Sequence, residues 1–255
     1  MTVYNITFSP TGGTQKAADL FAKSFAPEYV NINLLDCKQD FSAYTFNQED
    51  TCLVAVPSYG GRVPAIAVSR LSQMQGNGAN AILIVVYGNR AYDDTFVELQ
   101  DTLSDCGFNC IAAVAALAEH SIMRQFAAGR PDENDEKELA DFAQKILAKI
   151  QSDAPTTPLF LPGNRPYRKY GGVPMKPITS KACNQCGVCA RECPVGAINA
   201  ENPSQTNTET CISCMRCLAV CPQNARHISK MLLTAGSLKL KSACSGYKNN
   251  ELFLP

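Results

Sequence analysis

Eight cysteines in the last third of the chain repeat one spacing twice. Each copy places three cysteines three positions apart and adds a fourth four positions later, directly before a proline. Three thiolates from one tight turn can surround one face of an iron–sulfur cubane, so the spacing indicates iron–sulfur ligation. Each proline ends the local structure after the fourth cysteine. The candidate ligands are Cys183, Cys186, Cys189 and Cys193 in the first copy, and Cys211, Cys214, Cys217 and Cys221 in the second.

Zinc and disulfides explain these cysteines less well. A zinc ribbon uses pairs of C-x-x-C and needs neither the third cysteine of each run nor the terminal Cys-Pro. The chain begins with a strand-like segment, Val3–Phe8, and shows no signal peptide, so we expect a reducing cytoplasm rather than disulfide formation. The other five cysteines show no ligand spacing and are expected to be small buried or partly buried thiols. They are Cys37, Cys52, Cys106, Cys110 and Cys244.

The region 179–230 resembles bacterial-type 2[4Fe-4S] ferredoxins through these two runs. The resemblance implies two 4Fe-4S clusters, each taking its fourth ligand from the other repeat. The first cluster is then assigned to Cys183, Cys186, Cys189 and Cys221. The second is assigned to Cys211, Cys214, Cys217 and Cys193.

Composition indicates an ordinary globular chain without a membrane span. The chain has 255 residues, of which 45% are hydrophobic and 18% charged, enough for two cores. No apolar run approaches the ~20 residues that span a bilayer. The net charge is zero, but residues 1–151 carry 11 basic and 18 acidic side chains, whereas 152–255 carry 12 and 5. Because the basic excess can offset negatively charged clusters, it does not indicate nucleic acid.

Strands and helices alternate along the N-terminal half. Five apolar segments with helical connections predict a doubly wound parallel sheet over residues 1–151. The predicted strands are Val3–Phe8, Val30–Leu34, Leu53–Val56, Ala81–Tyr87 and Cys110–Leu117. The predicted helices are Thr14–Phe25, Ile66–Leu71, Thr95–Leu103 and Asp132–Ile150.

A proline- and glycine-rich connector over residues 152–178 separates this half from the cysteine region. Its prolines, Pro155 among them, exclude a long helix, while its aromatic side chains indicate that part of it packs across a domain surface. The cysteine region, 179–230, is predicted to be a small α+β dicluster domain. Two roles remain open for the lysine-bearing tail, 231–255. It either docks a partner protein or forms a strand and loop that pack on the dicluster domain.

Three loops follow the predicted strands at the edge where doubly wound sheets bind ligands. The first loop has hydroxyls, glycines and a helix N-terminus suited to a terminal phosphate. The alternative to a phosphate site is a structural glycine-rich turn in which Thr14 caps the helix. It lacks both a Walker lysine and the G-x-G-x-x-G of a dinucleotide site. The first loop contains Ser9, Thr11, Gly12, Gly13 and Thr14; the second contains Pro57, Ser58, Tyr59, Gly60, Gly61 and Arg62; the third contains Tyr87, Gly88, Asn89, Arg90, Tyr92 and Asp93.

With S-x-T-G-x-T as its phosphate loop, the segment 2–151 resembles the flavodoxin family. The resemblance implies FMN, with its phosphate in the first loop and its isoalloxazine ring between the second and third. Tyr59 can stack on a π-system, and the adjacent Gly60 lets the backbone approach it. Free-standing flavodoxins usually surround the cofactor with acidic residues, whereas Arg62 and Arg90 are expected here beside the ring.

Nearly the whole chain resembles flavodoxin–ferredoxin fusion proteins of anaerobic microbes. The leading hypothesis is an electron-transfer iron–sulfur flavoprotein, an electron carrier that exchanges electrons between FMN, two 4Fe-4S clusters and a redox protein partner such as a ferredoxin or an oxidoreductase. One alternative is an FMN-dependent oxidoreductase that reduces a small substrate or oxidises NAD(P)H, with His120 as a conceivable proton donor. A redox-sensing interaction module is another. The sequence leaves the oligomeric state open, a homodimer included.

Overall fold

A computed structural model of the chain describes residues 2–152 and 158–255. Met1 and residues 153–157 lie outside the described residues, and Pro155 of the predicted connector falls among them. Within the described ranges, no helix is long and apolar enough to cross a membrane.

One six-stranded sheet forms the centre of the N-terminal domain. Its first five strands are parallel and follow the order β2-β1-β3-β4-β5, the flavodoxin-like doubly wound order predicted from the sequence. A sixth strand, β8, joins the far edge antiparallel to β5. The strands are β1 (Val3–Thr7), β2 (Val30–Asn33), β3 (Thr51–Pro57), β4 (Asn80–Tyr87), β5 (Asn109–Leu117) and β8 (Glu251–Phe253).

Helices cover both faces of this sheet. The helices α1 and α4 pack together on one face, and α2 and α3 lie on the other. Helix α4 starts at a capping box in which Asp132 and Asp135 satisfy each other's backbone N–H groups. The helices of this domain are α1 (Gly13–Phe25), α2 (Ala65–Leu71), α3 (Thr95–Asp105) and α4 (Glu133–Ile150), with a short 3₁₀ turn at Phe41–Ala43.

The central strand β4 shows why its sequence is continuously apolar. Successive side chains of a strand point to opposite faces, so a strand buried on both faces needs apolar residues at every position. Leu83 and Val85 enter the core beneath α2 and α3, whereas Ile82 and Ile84 enter the core beneath α1 and α4. All four side chains are fully buried.

The connector packs against α3, as its aromatic content predicted. Leu159 joins the core of the first domain. The backbone N–H groups of Asn164 and Arg168 both donate to the Asp94 carboxylate, at 2.8 and 2.7 Å. Residues from 158 onward therefore follow the surface of the first domain before the chain enters the cysteine region.

The cysteine region is small and is built around two short helices and one ribbon. Each helix holds a cysteine of one repeat, Cys189 in α5 and Cys217 in α6. The elements are β6 (Ile178–Thr179), α5 (Val188–Arg191), α6 (Arg216–Ala219) and β7 (Arg226–His227), with β6 and β7 paired antiparallel.

The C-terminal tail differs from the two arrangements considered for it. It forms a 15-residue helix, α7 (Lys230–Cys244), and then returns to the first domain as β8. Gly236 lets α7 approach two methionines, because a Cβ there would lie 2.2 Å from the Met175 methyl carbon and 2.5 Å from that of Met123. The last strand therefore packs on the sheet of the first domain rather than on the dicluster domain.

A buried ion pair joins the loop before α4 to the tail. Arg130 contacts Asp135 through two guanidinium nitrogens, with side chains that are 8% and 0% exposed. Asn250 adds a hydrogen bond to the same carboxylate at 2.8 Å. Removing one partner of a buried pair leaves an uncompensated charge, at a cost of about 3–5 kcal/mol.

We predict that Asp135→Asn lowers the free energy of unfolding by about 3–5 kcal/mol, the cost of leaving Arg130 without its buried partner. Chemical denaturation provides the measurement. The control is Asp141→Asn. Asp141 pairs with Lys145, and both side chains are 56% exposed. An exposed helix pair of this kind contributes about 0.3–0.5 kcal/mol to stability. Equal effects of the two substitutions would contradict the structural role of the buried pair.

The same pair predicts a pH dependence. Burial opposes the charge of Asp135, but hydrogen bonds from Arg130, the Asp132 backbone and Asn250 outweigh it and lower the pKa of this carboxyl. The folded state therefore binds the proton less readily than the unfolded state. The contribution of ionised Asp135 to the free energy of unfolding is complete above the ordinary aspartate pKa of ~3.9. It is lost as the pH falls through the lowered pKa of Asp135 in the folded state. Asp135→Asn should flatten this acid limb of the stability curve.

Candidate functional site

A cavity of about 240 Å³ lies at the carboxyl edge of the parallel sheet. Loops after β1, β3, β4 and β5 form one side of it. The other side comes from outside the sheet domain: the connector contributes Tyr170 and Val173, the dicluster domain Ile212 and Ser213, and α7 Leu240. The cavity therefore lies between the two domains.

The structure brings together ten of the seventeen residues predicted to hold a flavin. The wall contains Thr11, Gly13, Thr14, Pro57, Ser58, Tyr59, Gly60, Tyr87, Gly88 and Arg90. Seven others lie in the same loops without lining the cavity: Ser9, Gly12, Gly61, Arg62, Asn89, Tyr92 and Asp93.

The first loop has the local geometry of an anion site at a helix N-terminus. Gly12 occupies the N-cap of α1 with a φ of 92°, a left-handed conformation that favours glycine. The Ser9 hydroxyl accepts a hydrogen bond from the Gln15 N–H at 2.8 Å. Thr14 lies inside the helix, so the alternative that made it the helix cap is wrong. Free N–H groups at the start of this 13-residue helix suit a phosphate.

The second loop is a tight turn that only glycine allows. Tyr59 and Arg62 pair through two backbone hydrogen bonds, and Gly60 and Gly61 between them have φ values of 61° and 82°, the pattern of a type I′ turn. A Cβ on Gly60 would lie 2.3 Å from the Tyr170 ring. Burial raises the pKa of Tyr59 well above its ordinary value, with the Cys214 thiol and Tyr170 as further causes. Tyr59 thus stays a neutral phenol in the wall.

The two arginines of the loops are not free cations beside the cavity. Arg62 donates to Glu98 at 2.7 and 2.6 Å and lies outside the wall, which corrects the expectation that its charge faces a bound ring. Arg90 lines the cavity, but it is paired with Asp93. Arg62 therefore has a carboxylate partner of its own, whereas Arg90 shares the Asp93 carboxylate with Arg168.

His120 follows β5 and contributes to the wall of the cavity. Its Nδ1 accepts hydrogen bonds from the N–H groups of Ile122 and Met123 at 3.2 and 3.3 Å, which assigns the proton to Nε2. Burial lowers the pKa of His120, and the charge of Arg90 lowers it further. The imidazole is consequently a neutral hydrogen-bond donor at neutral pH.

The eight cysteines surround two separate cavities in the second domain. The outer cavity is defined by Cys183, Cys186, Cys189 and Cys221, and the inner cavity by Cys193, Cys211, Cys214 and Cys217. Each set combines three cysteines of one repeat with the fourth of the other, the grouping implied by the sequence. Within the described residues, no group of three His, Cys, Asp or Glu side chains is spaced for a single metal ion.

The donor set of both cavities fits a thiolate-bound cluster. In each repeat a backbone N–H points at the sulfur of the fourth cysteine: Ala197 to Cys193 at 3.2 Å and Ala225 to Cys221 at 3.3 Å. Such bonds stabilise a thiolate that ligates iron. Burial raises the pKa of Cys214 to about 12, so its thiol stays protonated unless a metal takes the proton's place.

The inner cavity adjoins the cavity at the sheet edge. Ile212 lines both of them. Arg216 of the inner wall also reaches the first loop, donating to the Pro10 carbonyl at 3.4 Å. The outer cavity lies nearer solvent, because Cys186 is the one exposed cysteine among the eight candidate ligands.

Several residues of the site have no local signature in the sequence. Tyr170, Val173, Ile212, Ser213 and Leu240 reach the cavity only because the second domain and α7 cover the sheet edge. A sequence argument could have included the residues beside His120, since they follow a strand at the same edge. The additional β5-loop residues in the wall are Ala118, Glu119, Ser121 and Ile122.

Comparison with known proteins identifies the second domain. A protein-family profile described as a 4Fe-4S dicluster domain matches residues 182–226. The chain is 38% identical over 55 residues to a component of the ion-translocating oxidoreductase complex of Methanosarcina acetivorans, covering 21% of each chain. It is 35% identical over 74 residues to the putative oxidoreductase AegA of Escherichia coli K12, covering 26% of this chain and 11% of that one. The chain thus spans about a fifth of the length of the first curated relative and about a tenth of the length of the second.

Similar solved structures align with the first domain. A flavodoxin of Streptococcus pneumoniae TIGR4 aligns with a TM-score of 0.43 and 18% identity, over 58% of this chain and 99% of that one. An azoreductase of Bacillus anthracis aligns with a TM-score of 0.41 and 12% identity, over 57% and 100%.

The sheet order and the matched profile together define the class of protein. A flavodoxin-like doubly wound domain is joined in one chain to a 4Fe-4S dicluster domain. The chain therefore has a flavodoxin–ferredoxin domain arrangement.

The grouping of the cysteines predicts the effect of single ligand substitutions. Cys193→Ala should remove the cluster of the inner cavity, although Cys193 belongs to the first repeat. Cys221→Ala is the matched control and should remove the cluster of the outer cavity. Iron content and EPR of the reduced proteins provide the measurement. If Cys193→Ala instead removed the cluster held by Cys183, Cys186 and Cys189, the crossed grouping would be wrong.

A close approach of two loops predicts a defect in ligand binding. A Cβ on Gly88 would lie 2.7 Å from the backbone Cα of His120, so Gly88→Ala must push apart two walls of the cavity. Overpacking typically costs 1–3 kcal/mol. We expect the affinity for FMN, the ligand that the flavodoxin resemblance implies, to fall about tenfold or more in a fluorescence titration. Gly171→Ala is the control, because a Cβ there meets nothing within 4 Å; equal affinities of both variants would contradict the prediction.

Proposed function

We propose that this protein is an electron-transfer iron–sulfur flavoprotein that connects an external redox protein to FMN through two 4Fe-4S clusters. The observation that carries the proposal is the shared wall: Ile212 lines both the inner cysteine cavity and the cavity at the sheet edge. A cofactor in each cavity would be separated by the thickness of one residue. When bound, FMN exchanges one or two electrons, and each cluster exchanges one.

The residues at the sheet edge fit FMN. The N-terminus of α1, with Thr11 and Thr14, would hold the phosphate, since N–H groups and hydroxyls suit a phosphomonoester better than an aromatic ring. The second and third loops would hold the isoalloxazine through Tyr59, Gly60, Gly88 and neighbouring wall residues. Tyr170, over Gly60, would help to exclude water from the ring.

The two cysteine cavities would hold the two clusters in order of exposure. The outer four cysteines would bind the cluster nearer the surface, where the exposed Cys186 lets a partner protein approach. The inner four would bind the cluster adjacent to the flavin. Fixing all three cofactors in one chain replaces a bimolecular encounter with an intramolecular one.

The partner would be a redox protein such as a ferredoxin or an oxidoreductase. A reducing cytoplasm would suit this role, because thiols persist there and remain able to ligate the clusters. No nucleic acid is required, since the basic excess of residues 152–255 can offset the negative charge of the clusters.

His120 supports a second candidate, an oxidoreductase that reduces a small substrate at the flavin. Its neutral imidazole, with the proton on Nε2, is positioned in the cavity wall to donate a hydrogen bond. An enzyme of this kind would accept electrons from NAD(P)H directly or from the clusters. Saturation kinetics with a nicotinamide would support it.

Anaerobic stopped-flow absorption on the protein with both cofactor types tests the proposal. Reduced ferredoxin, NADH and NADPH are offered separately, and flavin and cluster bleaching are followed together. We expect fast flavin reduction with ferredoxin alone. Saturable flavin reduction by a nicotinamide, without cluster bleaching, would instead favour the oxidoreductase.

Cys193→Ala provides the control for the route. Without the inner cluster, ferredoxin-driven flavin reduction should slow markedly, because the intramolecular route through that cluster is lost. An unchanged rate would show that electrons reach the flavin without the inner cluster.

A further inference from the structure

The two cysteine cavities have different walls at one equivalent position. The repeats are related by a shift of 28 residues, which carries Cys193 onto Cys221 and Ile198 onto Arg226. Ile198 lines the inner cavity and Arg226 the outer one. Both side chains are almost fully buried, with exposures of 5% and 4%. The outer cavity thus has a buried cation where the inner cavity has an aliphatic side chain.

Arg226 contacts the candidate ligands of the outer cavity directly. Its Nη2 lies 3.6 Å from the Cys189 sulfur and also donates to the Pro203 carbonyl. Its Nη1 donates to the Thr206 hydroxyl at 2.6 Å. The remaining nitrogen, Nε, is buried and has no hydrogen-bond partner among the described residues.

No carboxylate among the described residues lies within ion-pair distance of Arg226. A buried cation without a counter-ion is costly. A thiolate-bound cluster would supply the missing negative charge in the cavity that Arg226 lines. By contrast, Arg216 of the inner wall is already paired with Glu192 at 2.5 Å.

We propose that Arg226 sets the reduction potential of the outer cluster, holding it higher than an uncharged residue would. The inference rests on the proposed function, specifically on a 4Fe-4S cluster bound by the outer four cysteines. Reduction adds one electron, supplied by the external redox partner, and makes the cluster more negative by one unit. A fixed positive charge in low dielectric stabilises that reduced state more than the oxidised one.

A purely structural role would be different. In that case Arg226 would only fasten the segment at Pro203 and Thr206, and the potential would not depend on its charge. Three substitutions separate the two roles. Arg226→Lys keeps the charge, Arg226→Gln keeps hydrogen-bonding capacity without the charge, and Arg226→Ile copies the residue of the inner repeat.

The experiment is a potentiometric titration of each purified holoprotein, followed by EPR of the reduced clusters and by iron content. In Arg226→Gln and Arg226→Ile, the reduction potential of one cluster should fall by about 59 mV. For a one-electron couple, this shift corresponds to a tenfold change in the ratio of reduced to oxidised cluster at a fixed potential. The other transition should move much less. The transition that moves should be the one that persists in Cys193→Ala.

Arg191→Gln is the matched control for charge without burial. Arg191 donates to the Cys186 carbonyl at 3.4 Å but is exposed, so water screens its charge. Its loss should shift the same transition much less than the loss of Arg226. Arg226→Lys should remain close to the wild type.

Two outcomes would overturn the proposal. One is an unshifted transition in Arg226→Gln and Arg226→Ile with full iron content. The other is that Arg226→Lys shifts the transition, or loses the outer cluster, as much as the uncharged variants do. Either result leaves the electron-transfer function intact, whereas wild-type protein without two cluster signals would contradict that function itself.

Discussion

The contact between the dicluster domain and the carboxyl edge of the sheet determines the functional arrangement. Arg70 of α2, which is 7% exposed, crosses this boundary and donates to the Pro194 carbonyl at 3.0 Å, one residue after Cys193. It also contacts the Leu34 carbonyl in the first domain. One buried guanidinium thus joins the end of β2 to the first cysteine repeat. This contact holds the first cysteine repeat against the domain whose sheet-edge cavity shares the Ile212 wall with the inner cysteine cavity.

The tail provides a second attachment through buried polar groups. Asn250 accepts a hydrogen bond from the Leu117 N–H at 2.8 Å and donates to both Asp135 and Glu138. These bonds satisfy polar groups at the end of β5 and the start of α4 that would otherwise be buried without partners. The dicluster domain is therefore held to the first domain at both of its ends, by the connector against α3 and by the tail against β5. Packing on two sides therefore fixes the distance between the inner cysteine cavity and the cavity at the sheet edge.

Local sequence patterns predicted the parallel sheet and the two cysteine runs, whereas the crossed grouping of the cysteines came from the resemblance to two-cluster ferredoxins. Continuous apolar runs such as Ala81–Tyr87 are required where a strand is buried on both faces, and the structure places β4 at 80–87. The cysteine spacing is equally local, because three ligands come from one turn. The first loop was also predictable, since its glycines and hydroxyls precede a clear amphipathic helix.

Features that depend on distant partners were not predictable in this way. β8 has only three residues, and its place in the sheet follows from pairing with β5, more than 130 positions earlier. Arg62 looked like a cation beside the flavin, but Glu98, 36 positions away, binds it. Tyr170 looked like a linker aromatic, yet it covers Gly60. The difference between Arg226 and Ile198 was visible once the repeats were aligned, but its meaning required the burial of both side chains.

The position of β8 has a consequence for synthesis on the ribosome. β5 is complete at residue 117, but the strand that pairs with its outer edge, β8, is synthesised more than 130 residues later. Until then the growing chain has an unpaired strand edge beside a largely folded sheet, and such edges favour pairing with other chains. Glu251 and the charged α4 nearby keep acidic groups close to this edge in the finished fold. A nascent chain that stalls or is truncated after the cysteine repeats would therefore keep a complete set of cluster ligands on a sheet whose last edge is still open.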